Sequence, residues 1–260
     1  MRENATKAKW RRGEVTHGAW LSIPSAFSAE TVAHAGFDWV CIDMQHGVID
    51  YQVAATMLLA LSTGECTPIV RVPWNEPGII GKMLDAGAMG IIIPMVNSVE
   101  EARAAVSACR YAPVGARSYG PTRAALSYGA DYFAHANEQV ACIPMIETKR
   151  ALDDLDSILD VPGIDAVYVG PADMSITLGQ QPRMDNGGAF EEARIHIAEA
   201  CGKRGIIAGI HANAALAPKH AAAGYRMITI TSDIAAIATG AAADLASVRG
   251  AGLADGVAYP

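Results

Sequence analysis

The chain has 260 residues, enough for one large domain or two small ones, and 51% are hydrophobic against 18% charged, which excludes a disordered protein. A formal charge of −7, with no basic stripe beyond the first dozen residues, gives no footprint for nucleic acid. No run approaches the roughly 20 apolar residues that cross a bilayer. The cysteines (Cys41, Cys66, Cys109, Cys142, Cys201) are scattered, odd in number and never in CxxC spacing, so they read as reduced thiols of a cytoplasmic protein, with Cys41 and Cys142 as buried filler. The opening 1–14 is basic, but no long apolar segment follows, so it reads as a frayed tail rather than a signal peptide.

In chain order, THGAWLSI (16–23) is a short apolar run broken by Pro24, and SAETVAHAG (28–36) carries a Ser cap and a closing Gly, the marks of a helix. A second strand, FDWVCIDMQHG (37–47), has a polar end and leads into helical periodicity over 50–64. A third strand (67–75) precedes a helix (76–87) with Pro77 near its first turn, and 88–96 and 98–111 repeat the alternation. Residues 112–139 read as a long loop. VACIPMIET (140–148), a helix-like 149–163 and IDAVYVGPADMS (164–175) follow, then a loop (180–188) and an amphipathic helix (189–205). Runs at 206–212, 213–224, 225–233 and 234–250 complete the alternation.

Eight strand–helix pairs call for a parallel sheet, and eight units in about 250 residues match a closed (β/α)8 barrel, an α/β fold. An open doubly wound sheet is the alternative, but it usually shows GxGxxG after its first strand, where this chain reads SIPSAFSAE. The expected organisation is a barrel over 15–250 flanked by tails at 1–14 and 251–260.

In a barrel the chemistry sits at the C-terminal ends of the strands. Glu147 and Asp173 end two runs joined by a helix, so the strands are parallel neighbours and both carboxylates reach one rim, a place to hold a metal ion. The same rim collects Asp43, Gln45 and His46, then Arg71, His211, Ser232 and Asp233. Salt bridges that merely cap the barrel are the plain alternative, but so many charged groups on one rim favour a site. Two carboxylates without a histidine at ligand spacing suit Mg²⁺ or Mn²⁺, with Co²⁺ as a further candidate, rather than a closed zinc site. Asp43 is placed to orient His46 as a base near neutral pH, and Arg71 offers a fork for a carboxylate or an enolate oxygen. Together these groups suit proton or carbon–carbon chemistry beside the carbonyl of a 2-oxo acid. No lysine lies inside a strand run, which argues against a Schiff-base aldolase. Turns after strands seven and eight lack the glycines of a phosphate-sugar isomerase. His34, His135, His196 and His220 read as surface groups, and His17 as lying at the far end of the barrel.

FDWVCIDMQHG, VRVPWNEPGIIGKMLDAGAMGIIIPMVNSVEEAR, RYAPVGARSYGP, PMIET and VYVGPADMSITLG together closely resemble the HpcH/HpaI aldolase family, metal-dependent (class II) pyruvate aldolases related to citrate lyase β-type enzymes, over residues 15–250. The resemblance implies a barrel whose last helix can be exchanged with a neighbour, a hexamer, and reversible cleavage of 4-hydroxy-2-oxo acids to pyruvate and an aldehyde. It implies Glu147 and Asp173 as metal ligands, Arg71 as the group that stabilises the enolate, and His46 held by Asp43 as the acid/base dyad. It further implies pyruvate carboxylate binding by backbone N–H groups around Gly170, Pro171, Ala172 and Asp173, a pocket wall at Trp20, and Asp85 reaching a neighbouring subunit's site. Met145 stands where many relatives carry Gln, Gln45 where they carry Glu, and His211 where they often carry an aliphatic residue; His211 is a candidate contact for the aldehyde portion. A CoA-thioester lyase of the citrate or malyl-CoA type is the second enzyme reading, and a barrel that binds 2-oxo acids without turnover is the third.

Overall fold

Strands whose residues are buried on both faces are the mark of a parallel sheet covered inside and out, and four of the strand runs are buried at every position. In the computed structural model, which describes residues 1–249, eight parallel strands close into one barrel in sequence order. They are β1 (Thr16–Leu21), β2 (Trp39–Asp43), β3 (Thr67–Arg71), β4 (Gly90–Ile93), β5 (Ala141–Ile146), β6 (Ala166–Val169), β7 (Ile207–Ile210) and β8 (Met227–Ser232). The helices are α1 (Ala5–Arg11), α2 (Ala26–Ala33), α3 (Tyr51–Leu61), α4 (Pro77–Asp85), α5 (Val99–Cys109), α6 (Thr122–Tyr128) and α7 (Tyr132–Gln139). They continue with α8 (Lys149–Asp153), α9 (Leu155–Leu159), α10 (Pro171–Thr177), α11 (Ala189–Arg204), α12 (Ala217–Ala222) and α13 (Asp233–Arg249). The (β/α)8 expectation is met.

Successive strand residues point to opposite faces, and along β2 this separates two cores. Trp39 and Cys41 fall inside the barrel, while Val40 and Ile42 pack beneath the helices. Trp39 meets Tyr168 edge-on at 6.4 Å, and Tyr168 stacks on Trp20 at 5.6 Å, so an aromatic column fills the barrel up to its mouth. The column needs Gly18, the register partner of Trp39, because a Cβ there would stand 2.3 Å from the indole.

Three expectations are corrected. Residues 1–14 are no frayed tail: Asn4 caps α1, and Trp10 is buried with its Nε1 donating to Thr16 Oγ1 at 2.9 Å. Asn4 Nδ2 also donates to the Met89 and Gln139 carbonyls, and Lys7 pairs with Asp165 at 2.6 Å, so α1 closes the N-terminal end of the barrel. The segment 112–139 contains α6 and α7, held by Tyr128, Tyr132 and Ala136 packing with Met89 and Tyr111. Neither helix start has a side-chain cap, so no local signal announces it. His220 lies on the buried face of α12, edge-on to Tyr225 at 5.7 Å, with neither ring nitrogen partnered. Burial holds that imidazole neutral, with its pKa down at about 4. His34, His135 and His196 are exposed as expected. The anticipated tail at 251–260 lies outside the described residues.

Candidate active site

A cavity of about 680 Å³ opens at the C-terminal ends of the strands. Trp20, Asp43, His46, Arg71, Met145, Glu147, Gly170, Pro171, Ala172, Asp173 and His211 all line it. Every residue the sequence nominated for catalysis, metal or substrate therefore borders one cavity.

Asp43 and Arg71 end β2 and β3 and are register partners, so their side chains leave adjacent strands side by side. Arg71 donates from Nε to Asp43 Oδ1 at 2.8 Å and from Nη2 to Oδ2 at 2.5 Å, a fork on a fork. Trp20 Nε1 adds a bond to Oδ2 at 3.1 Å, and the guanidinium lies 4.9 Å over the Trp20 ring. The backbone N–H groups of Gln45 and His46 donate to Oδ1 at 3.0 and 3.3 Å. Burial alone would raise the Asp43 carboxyl, but the Arg71 fork and these N–H groups hold it below the ordinary carboxylate range. Likewise burial works against the Arg71 charge, and Asp43 more than restores it.

The geometry revises the link between Asp43 and His46. Asp43 holds the backbone of the turn, and no bond joins it to the His46 imidazole, which is exposed at the cavity wall. The turn doubles straight back over β2, with Gly47 so close that a Cβ would stand 2.3 Å from the Asp43 carbonyl oxygen. That packing uses the carboxylate for backbone donors and for Arg71.

Glu147 follows the last residue of β5 and is 2% exposed. Its Oε1 accepts from the Met95 N–H at 2.8 Å. A Cβ at Gly170 would stand 2.4 Å from Oε2, so the turn after β6 passes against the second oxygen only because residue 170 is glycine. Burial pushes the Glu147 carboxyl up to about 7; the Met95 N–H opposes this, and the charge of Asp173 adds to it. Asp173 is exposed in the first turn of α10, on the cavity wall. Two carboxylates facing one space form an oxygen-only donor set, which fits a hard divalent cation. Among the described residues no three His, Cys, Asp or Glu side chains gather, which leaves no donor set for a closed zinc site.

His211, just past β7, meets Trp20 edge-on at 5.0 Å; burial and the Arg71 charge bring it down to about 4, a neutral imidazole. Asp233 accepts from the Ser22, Ile23 and Ile234 N–H groups at 2.8–3.1 Å and so ties the exit of β1 to α13. Asp85 lies away from the cavity. It ends α4, which runs back from its strand, and pairs with the buried Arg117 at 2.7 Å. The sequence reading missed Met95 and Asn97, which stand beyond β4, the one middle strand for which it named no rim residue. A single signal was present: the polar Asn97 directly after an apolar run.

Such a site, on the catalytic face of a (β/α)8 barrel, marks the chain as an enzyme. Residues 16–239 match the family described as HpcH/HpaI aldolase/citrate lyase, and the chain belongs to it. A hydroxypyruvate/pyruvate aldolase from Rhizorhabdus wittichii is 41% identical over 95% of this chain and 99% of its own. A 4-hydroxy-2-oxo-heptane-1,7-dioate aldolase from Salmonella dublin is 39% identical over 93% of each chain. The crystal structure of a HpcH/HpaI aldolase/citrate lyase family protein from Burkholderia cenocepacia superposes with a TM-score of 0.89 at 35% identity, over 95% of this chain and 99% of that one.

Proposed function

We propose that the protein is a divalent-metal-dependent lyase that reversibly cleaves 4-hydroxy-2-oxo acids to pyruvate, or a related 2-oxo acid, and an aldehyde. The observation that carries this is the shared cavity wall of Glu147, Asp173 and the Asp43-held Arg71. The names of the relatives at 41% and 39% identity favour this chemistry over cleavage of a CoA thioester.

Glu147 and Asp173 would hold Mg²⁺ or Mn²⁺, which when bound supplies the positive charge that polarises a 2-oxo acid. The N–H groups of Ala172 and Asp173 open α10 with no side-chain cap, and they receive the substrate carboxylate. Arg71 commits Nε and Nη2 to Asp43 and offers Nη1 to the oxygen on C2, where negative charge develops. His46 takes the proton from the 4-hydroxyl; the C3–C4 bond breaks, the aldehyde leaves, and the C3–C4 bonding pair stays with C3 to form the enolate. Protonation at C3 then gives the methyl group of pyruvate. Neutral His211 and Trp20 form the wall beside Arg71, where the aldehyde portion would lie.

The assembly we propose is a homo-hexamer. Beyond its buried first residue α13 lies largely exposed, with Ile237 at 59% and Val248 at 85%, which suits exchange of this helix with a neighbour. Asp85, remote from its own cavity, would then serve another subunit's. A cytoplasmic location is supported by five free, buried cysteines; no helix among the described residues is long and apolar enough to cross a membrane.

The test is pyruvate release from a 4-hydroxy-2-oxo acid. EDTA should abolish it and Mg²⁺ or Mn²⁺ restore it. Activity that survives thorough chelation sinks the metal reading.

A further inference from the structure

Glu147 is gripped by a ring of bonds that starts at a backbone conformation rarely taken by residues with a side chain. Met95 has φ 56, in the left-handed region, the one such non-glycine among the described residues. Residues with a Cβ stay there only where their surroundings hold them. The Met95 N–H donates to Glu147 Oε1 at 2.8 Å, while the Met95 carbonyl accepts from Asn97 Nδ2 at 2.7 Å. Asn97 Oδ1 in turn accepts from the hydroxyl of Thr148, the residue bonded to Glu147 in the chain. The ring is thus closed: carboxylate, Met95 backbone, Asn97 amide, Thr148 hydroxyl, and back to Glu147.

Both anchors of the ring are themselves fixed. The Asn97 N–H donates to Glu101 Oε2 at 2.6 Å, and Thr148 caps α8 by accepting from the Ala151 N–H at 3.0 Å. Only the amide of Asn97 can serve both partners, because one atom must donate to a carbonyl while the other accepts from a hydroxyl. The grip occupies Oε1 and leaves Oε2 beside Gly170, where a Cβ has no room.

We propose that Asn97 is a positioning residue for the cation, holding Met95 in its left-handed conformation so that the Met95 N–H occupies one oxygen of Glu147 and the other faces the metal. This rests on the reading of Glu147 as a metal ligand. Groups that orient a ligand are worth roughly 10- to 100-fold in metal affinity, and that is the effect assigned to Asn97.

The experiment is titration of the chelator-treated full chain with Mn²⁺, with free Mn²⁺ read by electron paramagnetic resonance and thermal unfolding followed alongside. Asn97→Ala and Asn97→Asp, which both lack the donor to Met95, should each weaken Mn²⁺ binding about 10- to 100-fold. Met95→Gly should bind within a few-fold of wild type, since glycine takes a positive φ without steric cost. The double variant Asn97→Ala, Met95→Gly should recover most of the loss. Wild-type Mn²⁺ affinity in Asn97→Ala overturns the proposal. So does a loss that Met95→Gly leaves unrepaired, because Asn97 would then act only by stiffening the exit of β4. Glu147→Gln separates the two levels: Mn²⁺ binding indifferent to it removes the ligand reading itself, whatever Asn97 does.

Discussion

Arg71 is held by Asp43 along one edge only: Nε and Nη2 are engaged at 2.8 and 2.5 Å, and Nη1 has no protein partner among the described residues. One carboxylate therefore fixes the plane of the guanidinium, and the free edge keeps a donor for substrate. The pair is largely buried, with side-chain exposures of 12% and 2%, so neither member would be stable in place without the other.

Arg71→Lys should keep a positive charge but lose the fork. Deuterium exchange into the methyl group of pyruvate is expected to fall roughly 100-fold or more, the scale of losing one oxyanion donor. Arg71→Ala should in addition cost about 3–5 kcal/mol of stability by stranding buried Asp43. Unchanged exchange in the lysine variant would take Arg71 out of its assigned role.

Because Asp43 touches the His46 backbone and not its ring, Asp43→Asn should resemble Arg71→Lys. Exchange should drop by a comparable factor, because both variants lose the fork of guanidinium on carboxylate. Wild-type exchange in Asp43→Asn would show that Arg71 keeps its position without the fork.

Much of this was readable from residue order. The eight strands announce themselves as apolar runs, and the rim was legible because Asp43, Arg71, Glu147 and Asp173 interrupt those runs at one end. What could not be read depends on register or on the backbone. Spacing placed Asp43 beside His46, yet its partner is Arg71, 28 positions away, because the two are opposite each other across β2 and β3. Met95 escaped because its useful group is an N–H that every residue carries, aimed by a φ that no composition reveals. Helix α1 escaped because seven residues seldom hold a helix alone; its stability comes from Trp10 packing into the barrel core and from Asn4 and Lys7 reaching Met89, Gln139 and Asp165 far along the chain.

Trp10→Ala tests that plug. The side chain is 6% exposed and bonded to Thr16, so truncation should cost about 3–5 kcal/mol in urea unfolding, with the turnover of the remaining folded enzyme little changed. A cost below about 1 kcal/mol would mean that α1 merely rests on the barrel.

Gly170→Ala puts a methyl group where 2.4 Å separates it from Glu147 Oε2. The carboxylate must turn away, since Oε1 is already tethered to Met95. Metal affinity should fall roughly 10- to 100-fold, comparable to losing a group that orients a ligand, with the thermal midpoint little moved. Metal binding equal to wild type would show that Oε2 is not the oxygen in use.

In the metal-free protein, stability should depend on pH through Glu147. Glu147 ionises near 7 when folded because burial disfavours its charge and Asp173 repels it, against the opposing pull of the Met95 N–H and Arg71. Unfolded, it ionises at its ordinary 4.5. Below that pH both states are protonated and the group contributes nothing. Between 4.5 and about 7 the unfolded chain has released a proton that the folded chain still binds, so stability falls as pH rises. Above 7 the penalty is constant, on the order of 3 kcal/mol. Urea unfolding of chelator-treated wild type and Glu147→Gln across pH 4–8 isolates this contribution, because Asp43 and the other acids are common to both. The stability difference should shift in favour of the glutamine variant as pH rises through that window, and saturating Mg²⁺ should reverse the shift by rewarding the ionised carboxylate of the wild type. Parallel pH curves for the two proteins would show that Glu147 is already charged without the metal.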